Sequence, residues 1–240
     1  MTGAVERLPR SCPLGICDGS GWIVNDDDSA SPCDCRERRI RQARTRGVRS
    51  VLPAKYQGVG FDRPPLTEMA RDPAARQVVE HVRGYIGELG ARIAGGDGLW
   101  LTGDIGTGKT TLAMLVSKSA IEAGHSVAIY SLPRLLARIR RTYDADASEL
   151  SYLDFFRRLT SVELLHIDDL GAEKSSDWVL EQLYAIVDER YVEGRAMVVT
   201  TNLDLPQLEA QIGPRTVSRL AEICGDPLPL FGTDQRYRVA

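Results

Sequence analysis

Gly103-Asp104-Ile105-Gly106-Thr107-Gly108-Lys109-Thr110 is the stretch that decides the fold. It satisfies G-x-x-x-x-G-K-[ST] at every fixed position. Small residues let the backbone curl so that successive N–H groups converge on one anion. Lys109 adds a mobile positive charge, and Thr110 offers a hydroxyl to Mg²⁺. The flanks suit this chemistry. Leu99-Trp100-Leu101-Thr102 reads as a short buried strand entering the loop, and Leu112, Leu115, Val116 and Ala120 recur after it with helical spacing. The positive end of that helix faces the same anion, together with the loop residues and Thr111.

Working outward, apolar runs at 126–130, 162–167 and 196–200 predict further buried strands. Helical patterns separate them. One helix opens at Asp72-Pro73, runs to about Ala94 and is broken by Gly95-Gly96-Asp97-Gly98. A second opens at Pro133 and is strongly basic, carrying Arg134, Arg138, Arg140 and Arg141. A third covers about 149–159. A fourth, capped by Ser175 or Ser176, places Val179, Leu183, Ile186 and Val187 on one face. Strands alternating with helices predict an α/β, three-layer αβα architecture with a parallel sheet. The run at 162–167 ends in Asp168-Asp169 and is expected beside the phosphate-loop strand. Asp168 would then hold Mg²⁺ through water, and Asp169 would orient an attacking water. His166, two residues earlier on the same strand face, reads as packing.

A formal net charge of −3 excludes a polycation, so any nucleic-acid surface must be a local patch. No apolar run reaches the ~20 residues needed to span a bilayer, and the first ten residues lack the apolar middle of a secretory signal. The expected compartment is cytoplasmic. In a reducing compartment, clustered thiols favour metal over disulfides. Cys12, Cys17, Cys33 and Cys35 form two close pairs that can surround Zn²⁺ tetrahedrally, with a hairpin between them and Asp26-Asp27-Asp28 as its solvated tip. Four cysteines leave no open position, so the metal is structural; an iron–sulfur cluster is the alternative. Cys224 stands alone and reads as a small buried hydrophobe. Residues 36–49 carry seven arginines against Glu37. They read equally as a tracker of a phosphate backbone and as a linker helix with a wet basic face. Residues 1–46 are thus expected to form a zinc module with a basic linker, and residues 47–240 the nucleotide domain.

Four segments together resemble the AAA+ ATPases, and within them the DnaC/DnaI-type replicative helicase loaders and their IstB-like relatives. They are GDIGTGKT at 103–110, LLHIDDLGAEK at 164–174, VVTTNL at 198–203 and RTVSRL at 215–220. The resemblance runs from about residue 51 to the C-terminus, and it implies an ATPase with Mg²⁺ whose Lys109, Asp168 and Asp169 take part in hydrolysis. Asn202 matches the polar residue that reads the γ-phosphate. Arg219 matches the arginine finger that reaches a neighbouring subunit's nucleotide, so self-association through the ATP site is implied; Arg215 is a weaker match on the same helix. Arg238, in Tyr237-Arg238, matches a late arginine that touches nucleotide. The implied partners are a DnaB-type helicase, contacted through the zinc module, and single-stranded DNA. An IstB-like transposition helper and an ATP-switch adaptor with little hydrolysis are the alternatives. A GTPase is disfavoured, because Thr201-Asn202-Leu203-Asp204 lacks the lysine of a guanine-reading Asn-Lys-x-Asp. Two departures stand out. Most AAA+ proteins carry Asp-Glu where this chain has Asp168-Asp169, which draws a carboxylate back about an ångström. The short run after Arg219 also implies a truncated or absent lid.

Overall fold

The computed structural model describes residues 12, 14–26, 29–36, 52–143, 151–174, 176–232 and 234. The chain divides into two compact units, Met1–Arg46 and Gly47–Ala240. Asp27, Asp28, Ser175, Tyr237, Arg238 and the basic run from 37 to 49 lie outside the described residues.

In the first unit, β1 (Trp22–Val24) and β2 (Ala30–Pro32) pair antiparallel in the register Trp22↔Pro32, Ile23↔Ser31 and Val24↔Ala30. The turn closes through Asn25, whose N–H donates to Ser29 O at 2.8 Å and whose amide donates to Ser29 Oγ at 2.9 Å. Strand alternation turns Ile23 toward the buried Cys12, Cys33 and Cys35. Trp22, Val24, Ala30 and Pro32 form the opposite, exposed and apolar face. A core of cysteines and one isoleucine is too small to hold a fold unaided.

The second unit is a five-stranded parallel sheet. Its strands are β3 (Leu99–Gly103), β4 (Val127–Ser131), β5 (Leu164–Asp168), β6 (Ala196–Thr201) and β7 (Leu228–Leu230), in the spatial order β4-β5-β6-β3-β7. One face is covered by α1 (Leu66–Met69), α2 (Pro73–Gly87), α3 (Leu89–Gly95) and α4 (Lys109–Glu122), which bury Leu99, Leu101, Leu164, Val198 and Leu230. The other is covered by α5 (Leu132–Arg141), α6 (Tyr152–Ser161), α7 (Asp177–Val192), α8 (Leu205–Ile212) and α9 (Pro214–Cys224), which bury Trp100, Leu165, Ile167, Met197 and Val199. Neighbouring strand residues alternate between the two cores, which is the signature of a sheet buried on both faces.

Two expectations are corrected here, and one strand was not anticipated. β5 does not lie beside β3, because β6 intervenes and pairs with both. The runs at 164–167 and 196–199 are equally apolar, so periodicity cannot rank them across the sheet. The helix expected from Pro73 to about Ala94 is two helices, since Glu88 leaves helical geometry at φ −109°, ψ 16°; Gly96, left-handed at φ 79°, ends the second. The edge strand β7 has only three residues around Pro229, too few to show a pattern.

Candidate functional site

The loop after β3 turns on glycines in the left-handed region. Gly106 has φ 79° and Gly108 φ 99°, and Gly108 is the N-cap of α4. Gly108 has a second constraint: a Cβ there would sit 2.5 Å from Met69 Sδ on α1. Thr107 Oγ1 donates to Asp104 O at 2.8 Å and tightens the curl. Lys109 is buried at 5% exposure, and its ammonium donates to Gly103 O at 2.8 Å and Asp104 O at 2.5 Å. The loop's own carbonyls therefore hold the lysine over the cradle. Asp104 turns outward, where its carboxylate accepts the Gly232 N–H at 3.1 Å, and Ile105 is 61% exposed.

The acid enters from β5. Asp168 Oδ1 accepts from Thr110 Oγ1 at 2.9 Å and from Thr200 Oγ1 at 2.8 Å. A hydroxyl and a carboxylate in contact are the hard oxygen donors that Mg²⁺ takes, so these residues fit that ion. Asp169 is the one described non-glycine residue in the left-handed region, with φ 56°. Its N–H donates to Thr200 Oγ1 at 3.0 Å. Beyond it, Leu170 N–H donates to Thr200 O at 2.8 Å, and Thr201 Oγ1 donates to Leu170 O at 2.7 Å. Asn202 follows, exposed at the end of β6, and Thr102 Oγ1 donates to Leu203 O at 2.9 Å to tie that exit to β3.

Gly106, Gly108, Lys109, Thr110, Thr111, Asp168, Asp169 and Asn202 thus line one cleft of about 600 Å³. Its remaining wall is Lys55, Tyr56, Pro64, Pro65 and Glu68, which sequence reasoning missed; only the Pro-Pro pair marked that segment as a rigid loop. Thr200 was also missed. Its signal was a hydroxyl ending an otherwise apolar run.

Arg219 is elsewhere. It lies with Arg215 on a separate surface cleft off α9, its Nε 2.6 Å from Asp188 Oδ1 and its guanidinium 4.6 Å from the Tyr191 ring. A hydrogen bond donated to Tyr184 and the charge of the nearby Asp188 raise its pKa. His166 is fully buried, and burial pushes its pKa down to about 3, so the ring is neutral. It is more than packing: Nδ1 pairs with Ser117 Oγ on α4 at 2.9 Å, and Nε2 lies 4.0 Å from Asp168 Oδ1.

In the first unit the four Sγ atoms of Cys12, Cys17, Cys33 and Cys35 lie within 4.8 Å of one another, with 3.9 Å between Cys12 and Cys33 and 3.5 Å between Cys17 and Cys35. A tetrahedron with Zn–S bonds of ~2.3 Å has S···S edges of ~3.8 Å. The donor set therefore fits zinc. All four thiols are free of disulfides.

This sheet order, with a phosphate loop on β3 and an acid-ended β5 one strand away, defines a P-loop nucleotide-binding protein of the AAA+ type. The IstB-like ATP binding protein family matches residues 91–221, more than half of the chain, and the chain belongs to that family. Across 90% of its length it is 26% identical to the replicative helicase loader DnaC of Buchnera aphidicola subsp. Acyrthosiphon pisum, covering 87% of that protein. The crystal structure of the DnaC helicase loader superposes with a TM-score of 0.62 at 22% identity, over 75% of this chain and 100% of that one. AMPPCP-bound DnaA from Aquifex aeolicus gives 0.60 at 18% identity, over 79% and 55%. Among the described residues, no helix is long and apolar enough to cross a membrane.

Proposed function

We propose that the chain is an ATP-dependent loader of a DnaB-type replicative helicase onto single-stranded DNA. The observation that carries this reading is the single cleft joining the phosphate loop, the Thr110–Asp168 pair and Asn202, in a chain aligned with DnaC loaders over nearly its full length.

Lys109 and the amides of residues 104–109 bind the β- and γ-phosphates. Thr110 and Asp168 hold Mg²⁺, which when bound neutralises charge on the phosphate oxygens. Asp169 orients the water, and Asn202 senses the γ-phosphate. Arg219 stands apart from its own cleft, an arrangement that suits delivery to a neighbouring copy, so hydrolysis is slow in the isolated chain and stimulated by assembly on DNA or helicase. Arg238 lies outside the described residues and keeps its place as a candidate nucleotide contact. On α5, Leu132, Leu135, Leu136 and Ile139 are buried while Arg134, Arg138, Arg140 and Arg141 are exposed, with no acid in the helix. That basic face supports a phosphate-backbone contact. Zinc in the four-cysteine unit fixes the hairpin, whose apolar outer face is available to the helicase.

The test is the ATPase rate per chain against protein concentration, with and without single-stranded DNA and a DnaB-type helicase. A rate that rises with concentration and with both partners is expected. A flat, unstimulated rate, with no helicase retained on co-purification, would refute loading. The family match itself favours a second reading, a transposition helper; retention of a transposase in place of helicase would select it.

A further inference from the structure

Thr200 sits at the last fully apolar level of β6, where Met197, Val198 and Val199 precede it, and it is fully buried. A buried hydroxyl costs stability unless its hydrogen bonds are made, and valine would have filled this position without that cost. Here both capacities are used. The hydroxyl donates its proton to Asp168 Oδ1 at 2.8 Å and accepts the Asp169 N–H at 3.0 Å. Thr110 also donates to Asp168, but its hydroxyl comes from the opposite, phosphate-loop side.

We infer that Thr200 is a positioning residue that couples the two carboxylates of the ATP site. The inference rests on the proposed nucleotide chemistry of Asp168 and Asp169. The donated bond selects one orientation of the Asp168 carboxyl, so that one oxygen is committed to threonine hydroxyls and the other is left to the cleft. The accepted bond anchors the peptide between the two acids and so supports the left-handed turn at Asp169, a conformation that needs its surroundings to hold it.

The test compares Thr200→Val, which keeps the shape and removes the hydroxyl, with Thr200→Ser, which keeps the hydroxyl, in the full chain. Two readouts are taken: kcat and KM for ATP, and the affinity for a fluorescent non-hydrolysable ATP analogue with Mg²⁺ and with EDTA. Thr200→Val is expected to lose about ten- to hundredfold in kcat, and most of the Mg²⁺-dependent gain in analogue affinity. Its EDTA affinity should stay near that of the natural protein and its melting temperature should fall by no more than roughly 10 °C, and Thr200→Ser should restore both readouts to within about threefold. A valine variant with unchanged kcat and unchanged Mg²⁺ gain overturns the inference, and so does one that loses the EDTA affinity equally, since that is a structural defect. Should the valine variant fail to fold, Thr200→Ala against Thr200→Ser isolates the same hydroxyl, and equal behaviour of those two also overturns it. A natural protein that binds the analogue without hydrolysing ATP removes the ATPase reading alone, and the Mg²⁺ gain still decides for or against Thr200.

Discussion

Replacing Arg190 with methionine tests how the sheet carrying the site is held together. Arg190, on α7, is 0% exposed and meets no carboxylate among the described residues. Its guanidinium donates to main-chain carbonyls: Thr160 O at 2.9 Å, Val162 O at 3.0 Å and Ala196 O at 2.6 Å, with longer contacts to Leu159 O and Glu163 O at 3.4 Å. Leu159 and Thr160 belong to the last turn of α6, whose carbonyls lack helical partners and carry the negative end of the dipole. Val162 and Ala196 stand just before and at the start of the paired strands β5 and β6. Burial pushes the Arg190 pKa down to about 9, so the group stays protonated at neutral pH. Removing the three short bonds leaves buried carbonyls unpaired at ~1–2 kcal/mol each, a gross loss of ~3–6 kcal/mol. Relief of the guanidinium's own desolvation offsets part of this, and methionine fills the aliphatic channel, leaving a net destabilisation of about 2–4 kcal/mol. Arg190→Lys, with three donors on one atom, should lose roughly half as much. Urea denaturation of the full chain followed by far-UV circular dichroism measures this, provided the m-value is unchanged. A methionine variant within ~0.5 kcal/mol of the natural protein would refute the argument, because desolvation would then cancel all that the carbonyls gain.

Lys109→Ala should leave the fold intact and weaken calorimetric binding of magnesium ATP at least ~100-fold, since the buried ammonium of the cradle is lost. Removal of zinc by a strong chelator should release about one metal ion per chain and abolish the near-ultraviolet signal of Trp22, while the melting of the second unit is unaffected. Acid stability should depend on Glu163 at the entry to β5. Burial alone would raise its pKa, but hydrogen bonds from His125 Nδ1, Ser126 N–H and Ser126 Oγ outweigh it and bring the value down to about 2 from 4.5. A depressed carboxyl stabilises fully above its unfolded value, so this contribution is lost as pH falls from 4.5 toward about 2. A Glu163→Gln variant should show a flatter decline over that window.

The phosphate loop was legible because its chemistry is local: glycines for positive φ, a lysine and a hydroxyl at fixed offsets, all inside eight residues. The four thiols were legible for a similar reason, since few side chains compete for their role in a segment so poor in apolar residues. Strand order was not. Leu164-Leu165-His166-Ile167 and Met197-Val198-Val199 both read as buried on two faces, and nothing within either run says which neighbours β3. The wall from Lys55 to Glu68 was missed because no single residue there has a diagnostic type; only the chain's return past Gly108, through Met69, brings it to the cleft. His166 misled in a different way. Its burial was read correctly, but a strand pattern cannot show that Ser117, on a helix 49 residues earlier, supplies a polar partner.

The sheet order has a mechanical consequence. Two strand spacings separate β3 from β5, about 9.6 Å, which is too far for a residue on one to touch a residue on the other across the sheet. Thr110 nevertheless reaches Asp168, because α4, which the loop feeds, packs across β3, β6 and β5. The site is therefore assembled across β6, and β6 must be held in register with β5 for the two halves to meet. It is pinned at both ends. Arg190 joins Val162 O to Ala196 O where the pair starts, and Thr200 joins β6 to Asp168 and Asp169 where it ends. The two pins differ in kind. Arg190 binds at the opposite end of the strand pair from the acids and acts on the population of folded chain, so its loss should lower measured activity in proportion to unfolding. Thr200 touches the acids themselves, so its loss should lower activity in chains that remain folded.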